Sequence, residues 1–122
     1  MFCFVQAPSG VPEITLYRSD TPTSIYLEWS ALQPHEANGV IRSYDIGYVK
    51  RKYFTTPLSI ASNLHRIVGL KTFPRNYTII GLNPYTEYIV GVAALNSKKI
   101  EIKIRWLQFA KTIRTMESGY VF

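Results

Sequence analysis

Cysteine is almost missing from this chain of 122 residues; Cys3 is the single one. That excludes an internal disulfide and any zinc site built on several cysteines. Histidine is as scarce. His35 and His65 sit in predicted loops, and neither has a His or Cys partner at metal-ligand spacing. No apolar run approaches the roughly 18 residues of a membrane-spanning helix. The apolar start, Met1 to Val5, is too short for a signal peptide and follows no positive region. The sequence therefore reads either as a piece of a longer chain or as a cytosolic protein. Alanine and leucine are few, 16 together, beside 31 valine, isoleucine and threonine residues and 17 aromatics. That balance favours strands over helices. Acidic residues are outnumbered, 8 against 14 lysines and arginines. The net charge of +6 admits acidic partners such as sulfated glycans, phospholipid headgroups or nucleic acid, without choosing among them.

The length is that of one domain, which buries about 65% of its unfolded surface. Hydrophobic residues make up 47% and charged ones 18%, a globular composition. Apolar residues alternate with polar ones in several segments, as in half-buried strands. Ile14 and Leu16 form one such set; Ile25, Leu27 and Trp29 form a second. Tyr44, Ile46 and Tyr48 form a third, with Asp45 on the outward face. Tyr88, Val90, Val92 and Ala94 follow, opposed by Glu87, Ile89 and Gly91. Turn chemistry separates them at Ser19-Asp20-Thr21-Pro22, Asn38-Gly39 and Gly81-Leu82-Asn83-Pro84. Between residues 49 and 75 the period fades; Tyr53-Phe54 and Ile67-Val68 are candidate short strands. Ile100, Ile102, Ile104 and Trp106 alternate again, although Trp106, Phe109, Ala110 and Ile113 also fit helical spacing. Recurrent isoleucine and threonine favour the strand. Strands spaced about 10–15 residues apart point to an antiparallel sandwich.

Catalytic patterns do not emerge. No serine lies in a Gly-x-Ser-x-Gly elbow, and Gly39, Gly47 and Gly81 form no phosphate loop. Asp45 and Glu87 form no acid pair. Neither an enzyme nor a cofactor or metal site is expected.

In their order, these segments resemble a fibronectin type III domain. Pro8 to Pro12 resembles the lead into the first strand, and Ser24 to Trp29 the second strand. Asn38 to Tyr48 resembles the loop and third strand. Tyr77 to Tyr88, with Gly81-Leu82-Asn83-Pro84 inside it, is the most specific match; it resembles the fifth strand and the corner into the sixth. Val90, Val92, Ala94 and Asn96 keep that phase, and Thr112 to Thr115 resembles the end of the last strand. The chain departs from the family between Asn96 and Thr112, where an apolar segment replaces a short Gly-containing loop. It has neither an Arg-Gly-Asp motif nor a paired Trp-Ser signature.

The resemblance implies an all-β, seven-stranded, antiparallel immunoglobulin-like sandwich over residues 8–117. Residues 1–7 would be a linker or the end of a preceding domain, and 118–122 a linker stub. Trp29, Tyr44, Leu82, Tyr88, Val90 and Val92 are the expected core, with Tyr88 at the tyrosine corner. The implied function is a non-catalytic extracellular interaction and spacer module of a cell-surface protein. An adhesion receptor or receptor tyrosine phosphatase is the expected parent, a single-pass membrane protein. Its partners would be other proteins and neighbouring domains, with the membrane reached only through the parent and no nucleic acid bound. Ile100, Ile102, Ile104 and Trp106 are the candidate partner ribbon, if they are not simply a buried last strand. A second reading is binding of heparan sulfate or another polyanion. Its candidates are Lys50, Arg51 and Lys52 together with Lys98, Lys99, Lys103 and Arg105, two clusters that meet if the third and last strands share a sheet. A third is an intracellular scaffold of the muscle type. Asn76-Tyr77-Thr78 is a glycosylation acceptor by pattern, with Asn76 expected to face outward.

Overall fold

The structure, a computed structural model, describes residues 10–37, 39–96 and 110–118. Seven strands follow one another among them: β1 (Ile14–Thr21), β2 (Ser24–Trp29), β3 (Ser43–Lys50), β4 (His65–Leu70), β5 (Asn76–Ile79), β6 (Glu87–Leu95) and β7 (Lys111–Arg114). They form two antiparallel sheets, one in the order β1-β2-β5 and one in the order β4-β3-β6-β7. This is the seven-stranded sandwich that the alternation and the resemblance imply.

Strand β2 shows why the sheets pack. Ile25, Leu27 and Trp29 are buried, and the residues between them are half-buried. Across the sandwich, Tyr44, Ile46, Tyr88, Val90 and Val92 meet that face in one core with Ile14, Ile79 and Leu82. The Trp29 and Tyr44 rings touch edge to face between the sheets, with centroids 5.5 Å apart. Ala94 packs against the same cluster from the end of β6.

The outer face of the larger sheet is not bare. Val49 and Ile89 are cross-strand partners on it, and both are buried. Part of the segment between β3 and β4 packs against these strands. Arg51–Tyr53 form a 3-10 turn that packs on β6, and a helix, α2 (Pro57–Asn63), packs on β3 with Ile60 buried. A shorter helix, α1 (Pro34–Ala37), lies between β2 and β3. The strand expected at Tyr53-Phe54 is therefore corrected to a turn. The signal for α2 is local: Thr56 caps it by accepting a bond from the Ser59 amide, and Pro57 opens it. His65 is likewise not a loop residue. It begins β4, and its ring stacks on Tyr48 at 5.0 Å.

Asp45 also differs from expectation. It points to the outer face but is only 4% exposed. Opposite it, β4 carries an irregular register between Ile67 and Leu70, with Gly69 at a left-handed φ of 72°. Glycine is the residue that adopts that conformation without steric cost. The Gly69 amide turns toward β3 and donates to Asp45 Oδ1 at 3.0 Å. Arg66 lies 3.9 Å from the other carboxylate oxygen. A buried carboxylate requires such partners, and here they hold a bulge in place. Asp45→Ala is expected to cost about 1–3 kcal/mol. Denaturant melts should show the loss, and hydrogen exchange should place the fastest gain at the Gly69 amide.

Burial chiefly raises the pKa of the Tyr44 phenol, against an opposing pull from Arg75. Tyr48 is raised by burial first, then by Tyr88 and Tyr77. The unfolded phenol ionises near pH 10, and the folded one above it. Their contribution to stability is complete below pH 10 and is lost as pH climbs through the folded values. The urea midpoint should fall in that alkaline range, and less steeply in Tyr44→Phe.

Candidate functional site

The corner between β5 and β6 is built from backbone groups that need partners. Gly81, at a φ of 76°, reverses the chain, and the Leu82 amide bonds back to the Thr23 carbonyl. The Asn83 amide donates to the Tyr88 hydroxyl at 2.9 Å. Thr115, only 1% exposed, then locks the corner to the segment after β7. Its hydroxyl donates to the Asn83 carbonyl at 2.6 Å and accepts from the Thr86 amide at 3.0 Å. The Tyr85 amide completes the tie by bonding to the Met116 carbonyl. Tyr85 sits between these contacts at a φ of 46°, a left-handed conformation uncommon for any residue but glycine.

This corner stands beside the basic turn. Across β3 and β6, Lys50 pairs with Tyr88; across β6 and β7, Glu87 pairs with Arg114. Antiparallel pairing thus gathers the end of β3, the start of β6 and the end of β7 on one rim of the sandwich. An open groove of about 490 Å³ lies there, lined by Lys50, Arg51, Lys52, Asn83, Tyr85 and Arg114 among others. A second hollow of about 320 Å³ lies on the far side of Lys50, bordered by Tyr53 and His65. In the groove, the Arg114 guanidinium bonds the Glu87 carboxylate and lies 4.7 Å over the Tyr85 ring. The hydrogen bond that it donates to Glu87, and then its hydrogen bond with Tyr85, raise its pKa further above its ordinary value, so it stays charged. Lys52 lies 5.0 Å over the Tyr53 ring.

Trp29, Tyr44, Leu82, Tyr88, Val90 and Val92 are all buried. Strands β3 and β7 do share a sheet, with β6 between them. Lys50, Arg51 and Lys52 border the groove, whereas Lys98, Lys99, Lys103 and Arg105 lie outside the described residues, as do Ile100, Ile102, Ile104, Trp106 and Cys3. Asn76 and Thr78 are exposed on β5, with Tyr77 half-buried between them. Arg114 and Tyr85 are among the groove residues that the sequence reading did not single out as site residues. Arg114 is isolated in sequence and joins the basic turn only through strand pairing. Tyr85 sits inside the recognised corner segment, where its exposure is not visible. Among the described residues there is no cluster of potential metal ligands and no helix long and apolar enough to cross a membrane.

The tyrosine corner and the three-plus-four sheets define a class. The fibronectin type III domain model matches residues 7–105, and the chain belongs to that family. It is 34% identical over 93 residues to the cell adhesion molecule DSCAM of Rattus norvegicus, across 74% of this chain and 4% of that protein. It is 34% identical over 98 residues to the phosphatidylinositol phosphatase PTPRQ of Rattus norvegicus, across 80% of this chain and 4% of that protein. The chain therefore spans only a small fraction of the length of these relatives. The fold also superposes on the fn3 domain of human contactin 1 with a TM-score of 0.66, at 19% identity, over 98% of this chain and 89% of that one.

The Tyr88 bond can be tested alone. Tyr88→Phe keeps the ring in the core but leaves the Asn83 amide without its partner. The expected loss is about 1–3 kcal/mol, read from urea unfolding.

Proposed function

We infer that this chain is a non-catalytic extracellular module that spaces neighbouring domains and presents surface to protein partners. The observation that carries this reading is the 34% identity to a short stretch of a cell adhesion molecule. A module of this size inside a long protein contributes position and surface, since its fold alone brings no chemistry. The proposed unit is the domain of residues 8–117, with 1–7 and 118–122 as linkers. Its parent is proposed to be a single-pass cell-surface protein. The apolar alternation of Ile100, Ile102, Ile104 and Trp106 in the sequence is the proposed protein contact; a row of this kind that is not core needs a cover.

Glycosylation at Asn76 belongs to the same reading. The acceptor asparagine and its threonine are both exposed on β5. Strand β5 is at the edge of its sheet, so a glycan there meets no neighbouring strand on one side. A second reading, polyanion binding, is supported by the groove that the basic turn shares with Arg114.

The test uses the native protein on intact cells. An antibody against this domain should label cells without permeabilisation. Enzymatic removal of N-glycans should shift the mass of the peptide that carries Asn76, and Asn76→Gln should abolish that shift. Labelling only after permeabilisation would overturn the extracellular assignment.

A further inference from the structure

We propose that the rim groove is a binding site for sulfated glycans, in which Arg114 and Lys50 hold the anionic groups and Tyr85 carries a sugar ring. This rests on the polyanion reading and deepens it. It moves the site to residues of three strand ends, away from a long basic tract in sequence.

Three observations carry the choice of ligand. The first is the arrangement of charge. A 3-10 turn repeats about every three residues, so Arg51 and Lys52 diverge and do not point at one anion. Both are exposed, while Lys50 is half-buried at the end of β3. Lys50 and Arg114 are two strands apart, about 10 Å at the usual strand spacing. A ligand that meets them all is extended and carries several anions. Glu87 is an acidic residue of the groove, and it is already engaged by Arg114. The second observation is Tyr85. The residue is 57% exposed although its backbone is held in the left-handed region. The Tyr85 amide's bond to the Met116 carbonyl and the Thr86 amide's bond to the Thr115 hydroxyl tie down that stretch of backbone, which sets an exposed ring beside the cations of the groove. An exposed ring next to cations suits a sugar face with charged substituents, and the exposed Asn83 beside it is a partner type for sugar hydroxyls.

The third observation concerns the corner backbone. Adding a strand to free backbone groups is one way to recognise an extended peptide. At the corner the amides of Asn83, Tyr85 and Thr86 are all used internally, and the Met116 amide is taken by the Ser19 hydroxyl. The corner therefore offers a ligand its side chains and not these amides.

The experiment measures binding of the 122-residue chain to a short heparin oligosaccharide and to its desulfated counterpart over a range of salt. Circular dichroism checks the fold of each variant. The sulfated ligand should bind at least tenfold more tightly. The double change Lys50→Gln with Arg114→Gln should lower affinity about tenfold or more and reduce the slope of log affinity against log salt by about one per cation lost. Glu87→Gln removes the acid and frees Arg114, so affinity should rise. Tyr85→Asn keeps a residue tolerant of left-handed backbone and should fold normally with weaker binding. If the double change and Tyr85→Asn leave affinity intact while a Lys98, Lys99, Lys103 and Arg105 fourfold glutamine variant loses it, the groove is wrong and the polyanion reading stands. If sulfation makes no difference, both fail. Tighter binding of a polyglutamate peptide than of heparin would also overturn the proposal, in favour of a protein ligand.

Discussion

The hydrogen bond from the Asn83 amide to the Tyr88 hydroxyl is the constraint on which this molecule turns. A chain that leaves one sheet and enters the other must expose backbone amides at the crossing. Here a core tyrosine reaches back five residues to satisfy one of them, so the same side chain fills the interior and shapes the surface. Thr115 repeats the device from the other direction, by joining the corner to the chain after β7. Together they place Tyr85 and Arg114 on one rim, although 29 residues separate them. The backbone of the corner is thereby tied to the core beneath it.

Much of the architecture was legible because strand alternation survives in sequence where one face of a sheet is buried. Ile25, Leu27 and Trp29 could be read that way, as could Tyr88, Val90 and Val92. Strand β3 was harder to read correctly, because both of its faces are covered. Asp45 looked outward by period, and it is outward, but the outer face at that point is buried. Period two tells which side a residue faces and not what lies on that side. The turn and helix that follow β3 carry no long apolar period. The helix announced itself only through Thr56 and Pro57, a capping signal two residues long.

The candidate site was legible in half. Lys50, Arg51 and Lys52 are adjacent, so any reading of charge finds them. Arg114 is one cation among fourteen, and only the β3-β6-β7 order brings it to the same rim. By sequence, Glu87 lies on the face opposite Tyr88 and forms no acid pair with Asp45. In the structure it fixes the direction of Arg114, so it sets the electrostatics of the rim as much as any cation does. Composition supplied the sign of the charge, and topology supplied its location.

The bulge at Gly69 has a consequence for how such a chain lives among its own kind. Strand β4 is an edge, and a regular edge is a template on which another strand can continue the sheet. Gly69 turns its amide inward to Asp45, which removes one rung from that template and breaks the regular spacing of the rest. In any protein that tethers several similar sandwiches, neighbours meet at effective concentrations of about a millimolar. Under those conditions, sideways fusion between sheets is a standing hazard. A single buried carboxylate thereby leaves this border less regular for a foreign strand to continue.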